Sequence, residues 1–98
     1  MSYTNREIYE NALRLIGETG EDDLCSDYEE RAPYVLASFC SQVTDVDKRI
    51  RLIENIEAAK DFNKLYLDLD GNFPLCDKLL GCASLYLAAM LLADNDYE

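Results

Sequence analysis

Apolar residues recur three and four positions apart at Ile8, Tyr9, Ala12, Leu13 and Ile16, which places them on one face of a helix. Thr4-Asn5-Arg6-Glu7 ahead of them fits a capping box, and Gly17 followed by Gly20 supplies the stop. The pattern predicts a first helix over about 5–17. A second apolar face, Tyr28, Ala32, Val35, Leu36, Phe39, Cys40 and Val43, predicts a helix over about 27–43. Pro33 lies inside that run, so the helix either kinks there or begins its regular part near Arg31; the kink is the favoured reading.

Thr44 or Asp45 caps a third helical pattern through about Ala59, with Val46, Ile50, Ile53 and Ile56 or Glu57 on successive turns. Leu65, Leu67 and Leu69 then alternate with polar or amphipathic neighbours, a period of two that predicts a short extended segment near 64–69. The last pattern, over about 75–93, contains Leu79 to Ala93, fifteen residues without a charge. A membrane span needs about 20 apolar residues, so this run is expected to be a core helix touched on most sides by the others. Its apolar surface exceeds what three small partners readily cover, which points to an oligomer. The expected fold is one all-α domain over 1–98, a small bundle of about four helices.

Charge narrows the function. Twenty acids oppose nine bases, there is no histidine, and the formal net charge is −11. Phosphate neutralisation and anionic-lipid docking both need clustered cations, so nucleic-acid and membrane binding are not expected. The bases Lys48, Arg49, Arg51 and Lys60 form the one positive cluster; a solvated helix face opposing the acidic linker is its plainest reading. Cys25, Cys40, Cys76 and Cys82 include no C-x-x-C pair, and the N-terminus does not read as a signal peptide. Buried free thiols in a reducing cytosol are the expectation.

Asp68-Leu69-Asp70-Gly71-Asn72 resembles the centre of a calcium loop. With Gly71 at the invariant glycine, Asp68 and Asp70 fall on ligand positions, but Tyr66 takes the first position and Asp77 the closing one. A turn explains the same residues better: Asp70, Gly71 and Asn72 tolerate left-handed backbone, Phe73 is extended before Pro74, and Pro74 sits near the start of the last helix. Without histidine, nucleophile elbow or phosphate-binding glycine loop, no catalytic constellation is legible, and no cofactor or metal is expected.

Three stretches resemble the small head–tail connector (adaptor, or head-completion) proteins of tailed bacteriophages and prophages: REIYENALRLIGE, DYEERAPYVLASFC, and LYLDLDGNFPLCDKLLGCASLYLAAMLLADND. Together they cover most of the chain except about residues 44–62. The resemblance implies a mostly helical structural domain, without enzymatic activity, that joins a homo-oligomeric ring on the portal and links head to tail. It implies portal and other head–tail proteins as partners, residence in the host bacterial cytoplasm and then the virion, and a free subunit that can be monomeric. Pairing of Lys48, Arg49 and Arg51 with Glu21, Asp22 and Asp23 of a neighbouring subunit would suit such a ring, and an acidic lumen would not grip DNA. The competing class is a small acidic prophage regulatory or inhibitor module that engages a basic protein.

Overall fold

A computed structural model of the chain describes residues 3–17, 23–57 and 62–95. Four helices occur among them: α1 (Asn5–Leu15), α2 (Asp23–Gln42), α3 (Thr44–Ile53) and α4 (Leu80–Asn95), the last led by a 3₁₀ turn at Asp77–Leu79. The all-α bundle is as the periodicity predicts. Helix α4 packs against both α1 and α2, and α3 continues from α2 with few contacts of its own.

The capping box of α1 is present in full: the Glu7 amide donates to Thr4 Oγ1, and the Thr4 amide donates to Glu7 Oε1. Gly17, at φ 80°, ends the helix in the left-handed region that a side chain resists. Ile8, Tyr9, Ala12 and Leu13 are buried, as their spacing requires. Gly20 lies outside the described residues.

Helix α2 starts at Asp23, ahead of the expected 27, and runs on through Pro33, so the proline does not open it. Pro33 leaves the Glu29 carbonyl without its helical amide. The Pro33 carbonyl accepts from the Leu67 amide at 3.0 Å, which ties the extended segment to α2.

Helix α3 stops at Ile53, well short of 59. Asn55 adopts φ 60°, Ile56 N donates to Arg51 O and Asn55 N donates to Leu52 O. That pair of bonds is a Schellman closure with asparagine in the left-handed position, so Ile56 and Glu57 lie beyond the helix. Ala58, Ala59 and Lys60 lie outside the described residues.

Residues 66–75 alternate as a period of two demands, but further along than expected. Leu67, Leu69, Phe73 and Leu75 are buried, whereas Leu65 is 87% exposed. Pro74 and Leu75 precede the final helical stretch and do not begin it; the turn into helix starts at Cys76, whose φ and ψ are extended.

Helix α4 is not covered on most sides. Ala83, Ser84, Leu87, Ala88 and Leu91 are buried, while Cys82, Leu85, Ala89, Met90 and Leu92 face outward. Two partner helices can cover only two sides of a rod, and α3 does not reach the third.

Candidate functional site

The acidic turn is a receptor for the start of α1. Gly71 N donates to Asp68 O, and Asp70 N donates to Asp68 Oδ1, so the Asp68 carboxylate is spent within its own turn. The first helical amides, which no helix can satisfy internally, find carbonyls here: Asn5 N reaches Gly71 O at 2.9 Å and Arg6 N reaches Leu69 O at 2.8 Å. Asn5 Nδ2 donates to Asp68 O, Arg6 Nε donates to Asp70 Oδ1, and Phe73 N donates to Tyr3 O. Thr4 and Asn72 complete the clasp as an antiparallel bridge.

This arrangement uses the oxygens a cation would need. No group of three or more metal-ligating side chains occurs among the described residues. The glycine is also needed for a different reason than expected. Neither Asp70, Gly71 nor Asn72 has positive φ; a Cβ on Gly71 would instead lie 3.3 Å from Asp68 O. Close approach of the turn's own Asp68 carbonyl, rather than left-handed backbone, selects glycine. Asp70, Gly71, Asn72 and Phe73 thus hold α1, and Pro74 serves α3 through its carbonyl.

The basic residues of α3 do not form one face. Arg51 is mostly buried: its Nε donates to Asp47 Oδ2 at 2.9 Å, Nη1 to Glu57 O and Nη2 to Pro74 O. Asp47 is 1% exposed and its second oxygen accepts from the Cys76 amide at 2.6 Å. An i, i+4 ion pair therefore pins the chain before α4 onto α3. Arg49 is exposed and Lys48 half-buried. Glu21 and Asp22 lie outside the described residues, and Asp23 opens α2. Arg51 is engaged within its own chain, so it is not available to pair with these acids of a neighbour.

Asp27, Glu29 and Asp70 are also paired. Arg6 bridges Glu29 and Asp70, and Arg31 pairs with Asp27 at 3.1 Å beside the Tyr28 ring. Lys78 meets Glu54 at 2.7 Å, and this hydrogen bond pushes the Lys78 pKa up.

Cys40, Cys76 and Cys82 are free thiols, but only Cys40 is fully buried. Burial pushes the Cys40 thiol up to about 12, and the Asp47 carboxylate adds to the shift. Such a thiol is inert at neutral pH. Cys76 is half-buried and Cys82 stands exposed on α4, which corrects the expectation of buried cysteines there. Its surroundings are apolar because they are an outer face.

A groove of about 390 Å³ between α1 and the start of α4 is lined by Glu7, Glu10, Asn11, Arg14 and Ser84 among others. It mixes both charges. Apolar side chains also stand at the surface. Leu52 and Ile53 are 81% and 83% exposed at the end of α3; Tyr34, Leu65 and Tyr66 form a second patch, with the two tyrosine rings 5.1 Å apart. The α4 stripe is the third. Sequence spacing missed these patches, since Ile53 and Ile56 fit a core pattern that α3 does not bury. No helix among the described residues is long and apolar enough to cross a membrane. No protein-family model, curated protein or solved structure matches the chain.

Proposed function

We propose that this chain is a structural subunit of a tailed phage or prophage particle, a head–tail connector that assembles as a ring on the portal. The observation that supports it best is the placement of eleven exposed large apolar side chains, among the described residues, on different elements. A ring needs two different surfaces per subunit, one donating and one receiving, and separate patches meet that need where a single pocket would not. Leu52 and Ile53 at the end of α3 make one such surface; Tyr34, Leu65 and Tyr66 make the other. The resemblance of the three stretches around α1, α2 and α4 supplies the portal as partner, and the acidic surface is compatible with DNA passing without being held.

An acidic inhibitor module is less well supported. It would need an unbroken acidic strip, whereas Asp27, Glu29 and Asp70 are spent on Arg31 and Arg6. The test is co-assembly with the portal protein of the same genome, followed by size-exclusion and negative-stain microscopy. The chain comigrates with portal rings, and Leu52→Glu combined with Ile53→Glu releases it without loss of helicity. Failure of the wild-type chain to comigrate at high concentration overturns the reading.

A further inference from the structure

We infer that the exposed face of α4 is a self-pairing surface, on which a second copy of this chain docks antiparallel across a two-fold axis near Leu87. The inference stands apart from the connector reading, because it concerns the free chain and an isologous contact rather than a ring.

Charge selects the occupant. Almost a third of the residues are charged, yet Ala32–Thr44 and Leu79–Ala93 carry none. These two uncharged runs pack together, and Gln42 Nε2 donates to Tyr86 Oη where they meet. Their outward residues, Ser38 and Gln42 on α2 and Cys82, Leu85, Ala89 and Leu92 on α4, form a neutral surface. Two bodies of charge −11 repel wherever carboxylates meet. A basic partner would find nothing to pair with on this side. A second copy finds the one kind of surface where its own charge is absent.

Shape selects the direction. Cys82, Leu85, Ala89 and Leu92 are spaced three, four and three residues apart, the a/d spacing of a helix pair. Reversal about Leu87 exchanges 85 with 89 and 82 with 92. In the antiparallel pair, Leu85 therefore faces Ala89 of the second copy and Leu92 faces Cys82 of the second copy. Each large side chain meets a small one. A parallel pair would set leucine on leucine and alanine on alanine.

Gly81, near the start of α4, is tolerated within the chain rather than required by it. A glycine within a helix costs about 1 kcal/mol relative to alanine. A Cβ at Gly81 would meet nothing within 4 Å, so packing inside the chain does not require its absence. The surface is modest: a standard interface buries about 800 Å² per partner, about one-eighth of the 6447 Å² this chain exposes, and uses several times as many residues as the face supplies. The dimer is therefore concentration-dependent.

The test measures mass and geometry together. Light scattering over a concentration series moves the mass from 11.2 kDa towards about twice that value, with the midpoint at several-fold lower concentration in roughly 0.2 M than in 0.02 M salt, as screening relieves the like charges. Binding to a basic contaminant has the opposite salt dependence and counts against the proposal. Leu85→Glu abolishes the dimer, while Val46→Glu, on the exposed Val46 of α3, leaves it intact. In a chain carrying Cys25→Ser and Cys76→Ser, Leu92→Cys gives a covalent dimer with diamide, because position 92 faces Cys82 of the second copy. The parent without Leu92→Cys does not, since the two Cys82 residues sit ten positions apart along the helix pair, about 15 Å. Cross-linking of the parent through Cys82 overturns the antiparallel direction. Constant monomer mass, or a dimer that survives Leu85→Glu, overturns the inference.

Discussion

Asp47→Ala is the substitution that most directly tests how the chain entering α4 is held. The Asp47 carboxylate is buried at 1% exposure and carries two charge-assisted contacts, to Arg51 Nε at 2.9 Å and the Cys76 amide at 2.6 Å. Hydrogen bonds to charged groups contribute about 1.5–3 kcal/mol each, and breaking a buried pair by removing one partner costs about 3–5 kcal/mol. Arg51 keeps some access to water, with 18% of its side chain exposed, so the lower half applies. The expected loss is about 3–4 kcal/mol, a large share of the roughly 5–15 kcal/mol that holds a domain of this size. At about 5 °C per kcal/mol, Tm falls by about 15–20 °C.

Urea denaturation followed by circular dichroism measures this directly, with Asp47→Asn and Arg51→Met as companions. Asparagine keeps an acceptor for the Cys76 amide but not the charge for Arg51, so it loses about half as much. Arg51→Met leaves the buried carboxylate with one partner and costs about as much as Asp47→Ala. The double variant Asp47→Ala/Arg51→Met loses less than the sum of the two, by at least about 1 kcal/mol. An Asp47→Ala chain within about 1 kcal/mol of wild type, or strict additivity, would refute the reasoning.

Gly17→Ala forces a side chain into φ 80° and costs about 1 kcal/mol, read as a lower midpoint in the same urea experiment. Gly81→Ala does the reverse, raising the midpoint by about 0.5–1 kcal/mol, because helix propensity improves and the added methyl has open space within the chain. Cys40 makes stability fall with alkali: its thiol is pushed up to about 12 in the folded chain from an ordinary 9.0, so the folded state holds a proton the unfolded state releases between those values. The stability is complete below pH 9 and is lost towards pH 12; the slope of Tm against pH is shallower in Cys40→Ala, and equal slopes in the two chains contradict the assignment. Millimolar calcium leaves Tm unchanged, since the Asp68 carboxylate and the turn carbonyls already have partners; a rise would restore the ligand-loop reading.

What was legible in the sequence was local. The capping box at Thr4 and Glu7, the stop at Gly17 and the apolar stripes of α1 and α2 each follow from spacing within a few residues, where backbone geometry leaves little choice. The turn at 68–71 was equally readable as a turn. Its task was not, because the amides it receives belong to Asn5 and Arg6, more than sixty positions away. Spacing carries no information about a partner at that distance. The stop at Asn55 was present in the sequence but competes with an apolar periodicity that continues through Ile56, and periodicity alone favoured the longer helix.

The misreading of α3 and α4 has one cause. An apolar stripe says which residues share a face, and gives no sign of which way that face turns. In α3 the inward side is taken by Asp47 and Arg51, because the Cys76 amide and the Pro74 and Glu57 carbonyls require hydrogen bonds there. Leu52 and Ile53 are rotated outward as a consequence. In α4 nearly every position is apolar, so rotation about the helix axis leaves the pattern unchanged and only the packing of α1 and α2 decides which side stays open. Hydrophobic residues inside is a one-way rule, and a helix apolar all round is the case where it decides least. The open side of α4 is thus a product of topology: Leu87 and Leu91 are completely buried by two neighbours, and Leu85 and Leu92 are left for a third body. Substituting the third side should therefore leave the fold intact and alter association alone. Leu85→Glu and Leu85→Ala unfold at the wild-type midpoint within about 0.5 kcal/mol when measured at monomeric concentrations. A loss of several kcal/mol in either would place Leu85 in the core and close the face that the dimer requires.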